Sequence, residues 1–402
     1  MTTTRGDNPP EDRTTEPDAG TGPLDRGPDT WPVGGATPGP LEPYDNPAAR
    51  RPRHGKKVSL MMVSGVASLG LGLAVGTLPV PYVVEKPGPT FNTLGEARGE
   101  PVIGVTGRET YPAAGNLDLT TVYVEGGPNG PVSILGAFAA WLDPSKSVYP
   151  EELIYPKGTT REQADEQSSV AMATSQENAV ASALKELEIP FGQELQAAGL
   201  SNGSPSEGKI APGDVFRSIN GKAVTALSVI QDELAAGKGA PATVVLDRDG
   251  EQVTETITPM DNGEGRYILG VMLKFKFTFP FDVKISLDTV GGPSAGMMFS
   301  LGIIDKLTPG DLTGGRHVAG TGEITPDGKV GPIGGVAQKM QGARAAGATL
   351  FLAPAANCDE VVGHIPDGLQ VVKVANLAEA RDAVELAASG QDTSGLAACT
   401  SN

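Results

Sequence analysis

Hydrophobic and polar positions divide the chain into segments of different character. Residues 1–57 carry repeated prolines and almost no aliphatic side chains. Such a stretch cannot bury enough apolar surface to offset the entropy of ordering, so it is predicted to be a disordered tail. From Val58 to Val84 no charged residue occurs. A helix of about 20 apolar residues, rising about 1.5 Å per residue, crosses a hydrocarbon layer, so residues 58–83 are predicted to form one transmembrane helix.

Charged residues flank this apolar run unequally. The first charge after it is Glu85, whereas five basic residues stand just before it: Arg50, Arg51, Arg53, Lys56 and Lys57. Because basic residues stay on the cytoplasmic side of a membrane, the N-terminus is expected in the cytoplasm and everything after residue 84 outside. A cleaved signal peptide is the alternative, but its apolar region would be shorter and nearer the start of the chain.

Residues 84–190 have the pattern of the first part of an α/β domain. Residues 85–89 (Glu-Lys-Pro-Gly-Pro) are interpreted as a stiff stalk or a first turn. The alternation over 117–125 predicts a strand, and residues 133–142 a short helix. Thr160 and Gln163 have the spacing of a capping box, which opens a helix predicted to run to about residue 187.

Residues 191–260 change to short strands separated by turns. Ala211-Pro-Gly-Asp214 predicts a tight turn, and a strand over 215–219 is followed by the hairpin turn Asn220-Gly221. A helix and two further strands complete the succession, which resembles a PDZ domain. The resemblance implies capture of an extended peptide as an added strand. The carboxylate-binding loop of that family has no clear match near residues 191–194.

One serine lies in a setting typical of a nucleophile. A predicted strand over 283–290 leads into Gly291-Gly-Pro-Ser-Ala-Gly296, followed by an apolar helix over 297–307. Pro293 suits a first helical turn, which would put Ser294 at a helix N-terminus. Free amides and the helix dipole would there stabilise a developing oxyanion. A serine that merely caps a buried helix is the other interpretation.

One lysine is predicted to be buried. A hairpin over 318–333 contains Thr321, and Gly334-Gly335 opens a helix predicted through Ala346. The helical neighbours of Lys339 are small or apolar, which favours an inward side chain, although an isolated helical lysine usually extends to solvent. Once burial has lowered its pKa, a neutral amine can accept the proton of Ser294.

These segments carry a resemblance to a known family. Residues 292–296 and the ungapped run 321–339 are similar to the proteolytic domain of Lon proteases. With the apolar run and the PDZ-like segment, the chain resembles the membrane-anchored, PDZ-containing, Lon-like serine proteases of bacteria. The resemblance implies that Ser294 is the nucleophile, Lys339 the general base and Thr321 a hydroxyl that orients the lysine. Gly292 and Gly296 would support the serine.

The resemblance also implies a domain order. An α/β (α+β) Lon-like domain would comprise residues 84–190 and 261–390, interrupted by the PDZ-like domain at 191–260 and followed by a tail at 391–402. The expected activity is serine endopeptidase cleavage of unfolded or flexible extracytoplasmic proteins, with a peptide ligand on the PDZ-like domain and the membrane as partners. The resemblance is also compatible with a homo-oligomer.

Composition narrows the classes of function. The formal charge of −17 argues against a nucleic-acid partner. The chain has no phosphate-binding loop of the Gly-x4-Gly-Lys-Ser/Thr type, so ATP independence is expected, and neither a cofactor nor a metal site is predicted. Two cysteines, Cys358 and Cys399, lie in the predicted oxidising compartment, where they would form a disulfide or remain free.

Two other functions remain open. Gly292-x-Ser294-x-Gly296 also matches the nucleophile elbow of α/β-hydrolases, which requires an acid and then a histidine downstream. His317 and His364 are the histidines available, and neither has a convincing context. The second alternative is a PDZ adaptor with an inactive protease domain. A trypsin-like protease is excluded because its histidine and aspartate would precede the serine.

Overall fold

A computed structural model describes residue 39, residues 55–287 and residues 290–400. The predicted tail and the basic side chains that precede the apolar run lie outside this description, except for residue 39 and the backbone of residues 55–57. The chain separates into two units, Met1–Gly65 and Val66–Asn402. In the first unit the described residues from 55 onward are helical, and the second unit contains the sheets.

The helices and strands are numbered in chain order. The helices are α1 (Gly55–Gly76), α2 (Ile134–Trp141), α3 (Glu151–Ile154), α4 (Arg161–Glu186), α5 (Leu227–Gly237), α6 (Gly296–Leu307), α7 (Val336–Ala345), α8 (Cys358–Val361) and α9 (Leu377–Ala388). The strands are β1 (Pro79–Val80), β2 (Tyr82–Asn92), β3 (Glu96–Ala97), β4 (Glu100–Pro101), β5 (Ile103–Thr106), β6 (Asn116–Glu125), β7 (Val132–Ser133), β8 (Ser147–Pro150), β9 (Gly192–Leu200), β10 (Val215–Ile219), β11 (Lys222–Ala223), β12 (Ala242–Arg248), β13 (Glu251–Ile257), β14 (Met260–Asp261), β15 (Tyr267–Ile268), β16 (Val271–Thr278), β17 (Asp282–Ile285), β18 (His317–Gly320), β19 (Glu323–Ile324), β20 (Val330–Gly331), β21 (Leu350–Pro354) and β22 (Gln370–Val374).

The apolar run forms a helix that is shorter than predicted. Within α1, Val58–Gly76 is long and apolar enough to cross a membrane, with a mean hydropathy of 2.0. The helix ends at Gly76 rather than at residue 83. Pro79 begins a strand, and Val83 and Val84 are 0% and 4% exposed in the sheet. The last residues of the uncharged run are therefore apolar because they belong to the core of the folded unit.

The main sheet has six strands in the order β22-β21-β18-β6-β2-β8. Strands β6, β18, β21 and β22 are parallel, and β2 runs antiparallel between β6 and β8. Residues 85–89, interpreted from the sequence as a stalk or turn, lie inside β2. Their prolines are tolerated because the pairing of β2 with β6 shifts register between Pro87 and Thr90.

Helices cover both faces of the main sheet. One core joins the sheet to α4, α6 and α9, with Leu117, Phe299 and Val384 among its buried members. A second core on the other face joins it to α7 and α8 through Phe351 and Met340. A parallel sheet is stable in water only when both faces are covered, which this three-layer arrangement achieves.

A second sheet contains the strands of the PDZ-like segment in the order β13-β12-β10-β9-β16. Its core lies between the sheet and α5, with Phe216, Ile230 and Leu246 almost fully buried. The predicted boundary at residue 260 is too early, because β16 pairs with β9 along its whole length. Alternate side chains of β16 face inward and add Val271, Leu273 and Phe275 to this core.

A disulfide closes the C-terminal part of the chain. It joins Cys358 at the start of α8 to Cys399, 41 positions later. In the tail segment, the Ala397 carbonyl accepts a 2.8 Å hydrogen bond from the Lys373 amide. Residues 391–400 are thus held against the edge of the main sheet near β22.

We expect reduction of this disulfide to lower the free energy of unfolding by about 4 kcal/mol, because the bond restricts a loop of 41 residues in the unfolded chain. Guanidinium unfolding of the full chain in detergent, with and without dithiothreitol, measures the change. The variant with both Cys358→Ser and Cys399→Ser is the control and should not respond to the reductant. Identical unfolding curves for the oxidised and reduced protein would contradict the expectation.

Candidate active site

A cavity of about 270 Å³ opens between the main sheet and the loop before α6. Ser294 and Lys339 both line it, although they are 45 positions apart in the chain. Its remaining walls come from β2 and β6, including Phe91, Thr120 and Tyr123. The fold thus brings the two candidate catalytic side chains to one space that is accessible from outside.

The loop that carries Ser294 is held by contacts from outside its own helix. Helix α6 begins at Gly296, so Pro293 and Ser294 precede it rather than forming its first turn. The Ser294 carbonyl accepts hydrogen bonds from the Gly322 amide at 2.8 Å and from Thr321 Oγ1 at 3.0 Å. Ser294 thus lies in the turn that precedes α6, and its carbonyl is bonded to a different segment of the chain.

Helix α4 supports the same loop from the other side. The Ser168 carbonyl accepts a 3.0 Å hydrogen bond from the Gly292 amide, and Ser175 Oγ donates to the Pro293 carbonyl at 2.9 Å. Ser182, a further seven residues on, pairs with Ser300 Oγ of α6 at 2.8 Å. The sequence interpretation missed these serines, although their spacing of seven places them on one face of a helix.

Gly292 and Gly296, the two supporting glycines, meet different structural requirements. Gly292 has φ +81°, a backbone conformation that residues other than glycine rarely adopt. Gly296 lies where a Cβ atom would come within 2.7 Å of Ile324 Cγ2 and 2.8 Å of Ser175 Oγ. The first glycine therefore provides a turn, and the second permits α4 and the β19 segment to approach α6.

The amine of Lys339 lies inside the protein. The lysine is 2% exposed, and its Nζ donates a 3.1 Å hydrogen bond to Oγ1 of Thr321, which is 0% exposed. Helix α7 packs so closely on β2 that a Cβ atom at Gly342 would lie 3.2 Å from the Gly88 carbonyl. The Thr321 hydroxyl in turn donates to the Ser294 carbonyl, so it connects the lysine to the serine loop.

Burial and two carboxylates set the charge of this amine. Burial lowers the pKa of Lys339 to about 8, and the negative charges of Glu85 and Glu323 oppose that change. Burial also raises the pKa of Glu85 and that of Glu323. Among the described residues Glu85 Oε2 has no hydrogen-bond partner. The sequence interpretation did not identify either carboxylate, since Glu85 is far from Lys339 in the chain and was interpreted as part of a stalk.

The histidines required by a hydrolase mechanism lie elsewhere. His317 Nε2 is 2.7 Å from Asp118 Oδ2, and His364 follows a turn at Gly363. Neither histidine lines the cavity that contains Ser294. Within the described ranges, no group of three or more histidine, cysteine, aspartate or glutamate side chains is arranged to hold a metal ion.

A second groove, also of about 270 Å³, lies between α5 and β16 in the PDZ-like sheet. Strand β16 is at the edge of this sheet, and Gly270, with φ +67°, precedes it in a turn. The Leu269 carbonyl in that turn accepts hydrogen bonds from the hydroxyls of Ser204 and Ser206. Residues 191–194, which have no clear match to a carboxylate-binding loop, include the start of the interior strand β9 and do not line the groove.

Part of the chain is similar to a known family. Residues 288–387 match the family model described as the Lon protease (S16) C-terminal proteolytic domain. A Lon protease of Roseiflexus castenholzii is 47% identical over 70 residues, which are 17% of this chain and 8% of that protein. Lon proteases 1 and 2 of Bacillus subtilis are each 36% identical, over 22% and 24% of this chain. The matches span only 12% and 17% of those two relatives.

Solved structures of PDZ domains align with about a fifth of the chain. The PDZ domain of an SdrC-like protein from Listeria innocua is 16% identical, with a TM-score of 0.19, and covers 20% of this chain and 92% of that one. Its counterpart from Listeria monocytogenes is 18% identical, with a TM-score of 0.18, over 20% and 85%. The PDZ-like character of this segment follows from the order of its strands and from the groove beside β16.

We expect the pKa of Lys339 to fall when either neighbouring carboxylate is neutralised, because each negative charge favours the ammonium form. Carbon-13 NMR of labelled lysine side chains in micelles, across pH 6–11, follows the titration in Glu85→Gln and Glu323→Gln. The control Glu360→Gln neutralises a carboxylate that affects the pKa of Glu85. It should therefore change the pKa of Lys339 least. A rise in the pKa of Lys339 in either neighbouring variant would refute this account of the electrostatics.

Proposed function

We propose that this chain is a serine peptidase in which Ser294 attacks the peptide bond and Lys339 is the general base. The observation that carries the proposal is the shared cavity of Ser294 and Lys339, with Thr321 connecting them through two hydrogen bonds. The match of residues 288–387 to a Lon proteolytic domain supports the same chemistry. Both side chains line one cavity, and an amine can replace histidine as the base that activates a serine.

The reaction proceeds through an acyl-enzyme. Neutral Lys339 takes the proton of Ser294 Oγ as that oxygen bonds to the substrate carbonyl carbon, and backbone amides near Ser294 stabilise the oxyanion. The tetrahedral intermediate collapses by breaking the carbon–nitrogen bond, and the leaving amine receives the proton from Lys339. A water molecule then loses a proton to Lys339 as it attacks the ester carbon. The second tetrahedral intermediate collapses by breaking the bond to Ser294 Oγ, which takes the proton back from Lys339, so the acid is released and Ser294 and neutral Lys339 are regenerated.

The lowered pKa makes this role feasible near neutral pH. With a pKa of about 8, roughly a tenth of Lys339 is neutral at pH 7, whereas a solvated lysine is neutral in about one molecule in 2,500. Thr321 fixes the direction of the Lys339 amine through their 3.1 Å hydrogen bond. The burial of Lys339 therefore supplies the base, and the threonine positions it.

We further propose that the enzyme is anchored in a membrane and acts outside the cytoplasm without ATP. One helix of suitable length and hydropathy, Val58–Gly76, precedes the folded unit, and the basic residues before it favour a cytoplasmic N-terminus. Its substrates would be unfolded or flexible proteins outside the cytoplasm. The groove beside β16 would hold an extended peptide as an added strand, since an edge strand and a neighbouring helix are what that binding mode requires.

We expect Ser294→Ala and Lys339→Ala each to reduce cleavage of unfolded casein, without ATP, by about a thousandfold or more, because the two side chains act as one unit. Initial rates of the full chain in detergent measure the effect. Lys329→Ala is the matched control, since the Lys329 side chain is 76% exposed, and it should retain wild-type activity.

Other outcomes of this comparison identify the alternatives. Cleavage that survives Lys339→Ala but is lost in His364→Ala would favour a histidine-dependent hydrolase. A wild-type chain that cleaves nothing but binds tail peptides in the groove of α5 and β16 would favour an adaptor with an inactive protease domain.

We expect kcat/KM to rise about tenfold per pH unit below pH 8 and to become constant above it, because only neutral Lys339 accepts a proton and its pKa is about 8. Casein cleavage measured from pH 6 to pH 10 gives this profile. Thermal unfolding at each pH is the control for loss of structure. A rate that is constant across pH 6–8, or that falls with rising pH there, would argue against a lysine base.

A further inference from the structure

Helix α2 leaves a continuous apolar face uncovered. The helix has no charged residue, and Ala140 is its one buried member. The apolar side chains that point to solvent share one side of the helix; they are Ile134, Leu135, Phe138, Trp141 and Leu142, and they are here called the α2 face. Trp141 is 72% exposed and Phe138 is 56% exposed, so two large rings contribute most of this surface.

The α2 face starts beside the end of the candidate membrane span. Helix α1 ends at Gly76, and the Ile134 amide donates a 3.1 Å hydrogen bond to the Leu78 carbonyl. Strand β1, which follows α1, pairs with β7, which precedes α2. The contact is tight, because a Cβ atom at Gly76 would lie 2.5 Å from Leu135 Cδ1. These contacts hold the start of α2 beside the end of α1.

The position and chemistry of the α2 face identify a lipid bilayer as its partner. If α1 crosses a membrane, the end of α1 marks the boundary between hydrocarbon and headgroups, and α2 starts at that level. Tryptophan is enriched at that level of a membrane. Helices that lie in this layer turn a face of tryptophan, phenylalanine and leucine toward the acyl chains. Phe138 and Trp141, whose ring centroids are 6.2 Å apart, present such a pair.

We propose that the α2 face lies in the interfacial layer of the membrane that contains α1, so that the folded unit has a second point of membrane contact. This inference rests on the anchoring included in the proposed function. It also concerns the active site, because β8 follows α2 and Ser147 Oγ in β8 accepts a 2.8 Å hydrogen bond from Gln338 Nε2, adjacent to Lys339. The catalytic helix is thereby connected to the membrane-contacting segment, and the substrates best reached are polypeptide segments near the membrane surface.

Fluorescence of Trp141 tests the contact directly. The chain has two tryptophans, so Trp31→Phe leaves Trp141 as the single emitter. This full-length variant is incorporated into phosphatidylcholine–phosphatidylglycerol vesicles, with and without acyl chains brominated near the headgroup. We expect the brominated lipid to quench Trp141 emission by half or more, whereas iodide present on both sides of the vesicles quenches it little.

Two variants serve as controls. In the first, Trp31→Phe and Trp141→Phe are combined with Met272→Trp, which places the emitter at a residue that is 54% exposed on β16. Iodide rather than brominated lipid should quench it. In the second, Phe138→Ser and Leu142→Ser are added to the Trp141 emitter. Quenching by brominated lipid should then decrease at least twofold while the protein still floats with the vesicles.

The other outcomes overturn the proposal in distinguishable ways. Quenching of Trp141 by iodide alone would show that the α2 face is in water. Protection from both quenchers would show that protein covers the face, and cross-linking at increasing dilution in the membrane would identify a second copy of the chain. Failure of the full chain to float with vesicles would reject the anchoring as well, whereas casein cleavage in detergent tests the peptidase chemistry independently.

Discussion

Exclusion of water from one amine is the constraint on which the site depends. A lysine that is 2% exposed loses most of its hydration, and the folded protein compensates with a threonine hydroxyl and two nearby carboxylates. The compensation is incomplete, so the pKa of Lys339 is about 8. A stronger ion pair would stabilise the fold but would keep the lysine protonated. The local packing, including the close approach of Gly342 to β2, serves to keep this balance.

The serine and the lysine are positioned by different parts of the chain. Helix α4 and the Thr321–Gly322 segment hold the serine loop through backbone carbonyls and amides, whereas α7 carries the lysine from the opposite face of the main sheet. Thr321 is the point where the two supports meet, because its hydroxyl bonds to both. Rigid elements on three sides leave little freedom for the two proposed reacting groups, as preorganised catalysis would require.

Local patterns predicted much of this structure, and long-range pairing accounts for what they missed. The capping box of α4 and the strands β10 and β13 were predicted well because their signals lie within a few neighbouring residues. By contrast, Pro79 to Glu85 were assigned to a span and a stalk, since nothing local shows that β2 pairs with a strand some 40 residues later. The start of α6 and the membership of β16 in the second sheet were misjudged for the same reason. The proximity of Glu85 to Lys339 likewise becomes visible only in three dimensions.

The attachment of the second sheet has a mechanical consequence. Its first and last strands, β9 and β16, are paired from Leu200 with Val271 to Gly192 with Thr278. The two chain segments that connect this sheet to the rest of the protein therefore lie side by side. At this junction Phe277 stacks on Phe279, and Phe191 contacts both rings at an angle. A hinge made of two hydrogen-bonded strands resists bending and twisting far more than a single flexible linker. If the proposed peptide binds along β16, a pull on that peptide would therefore be transmitted through both strands to the residues leading toward Ser294.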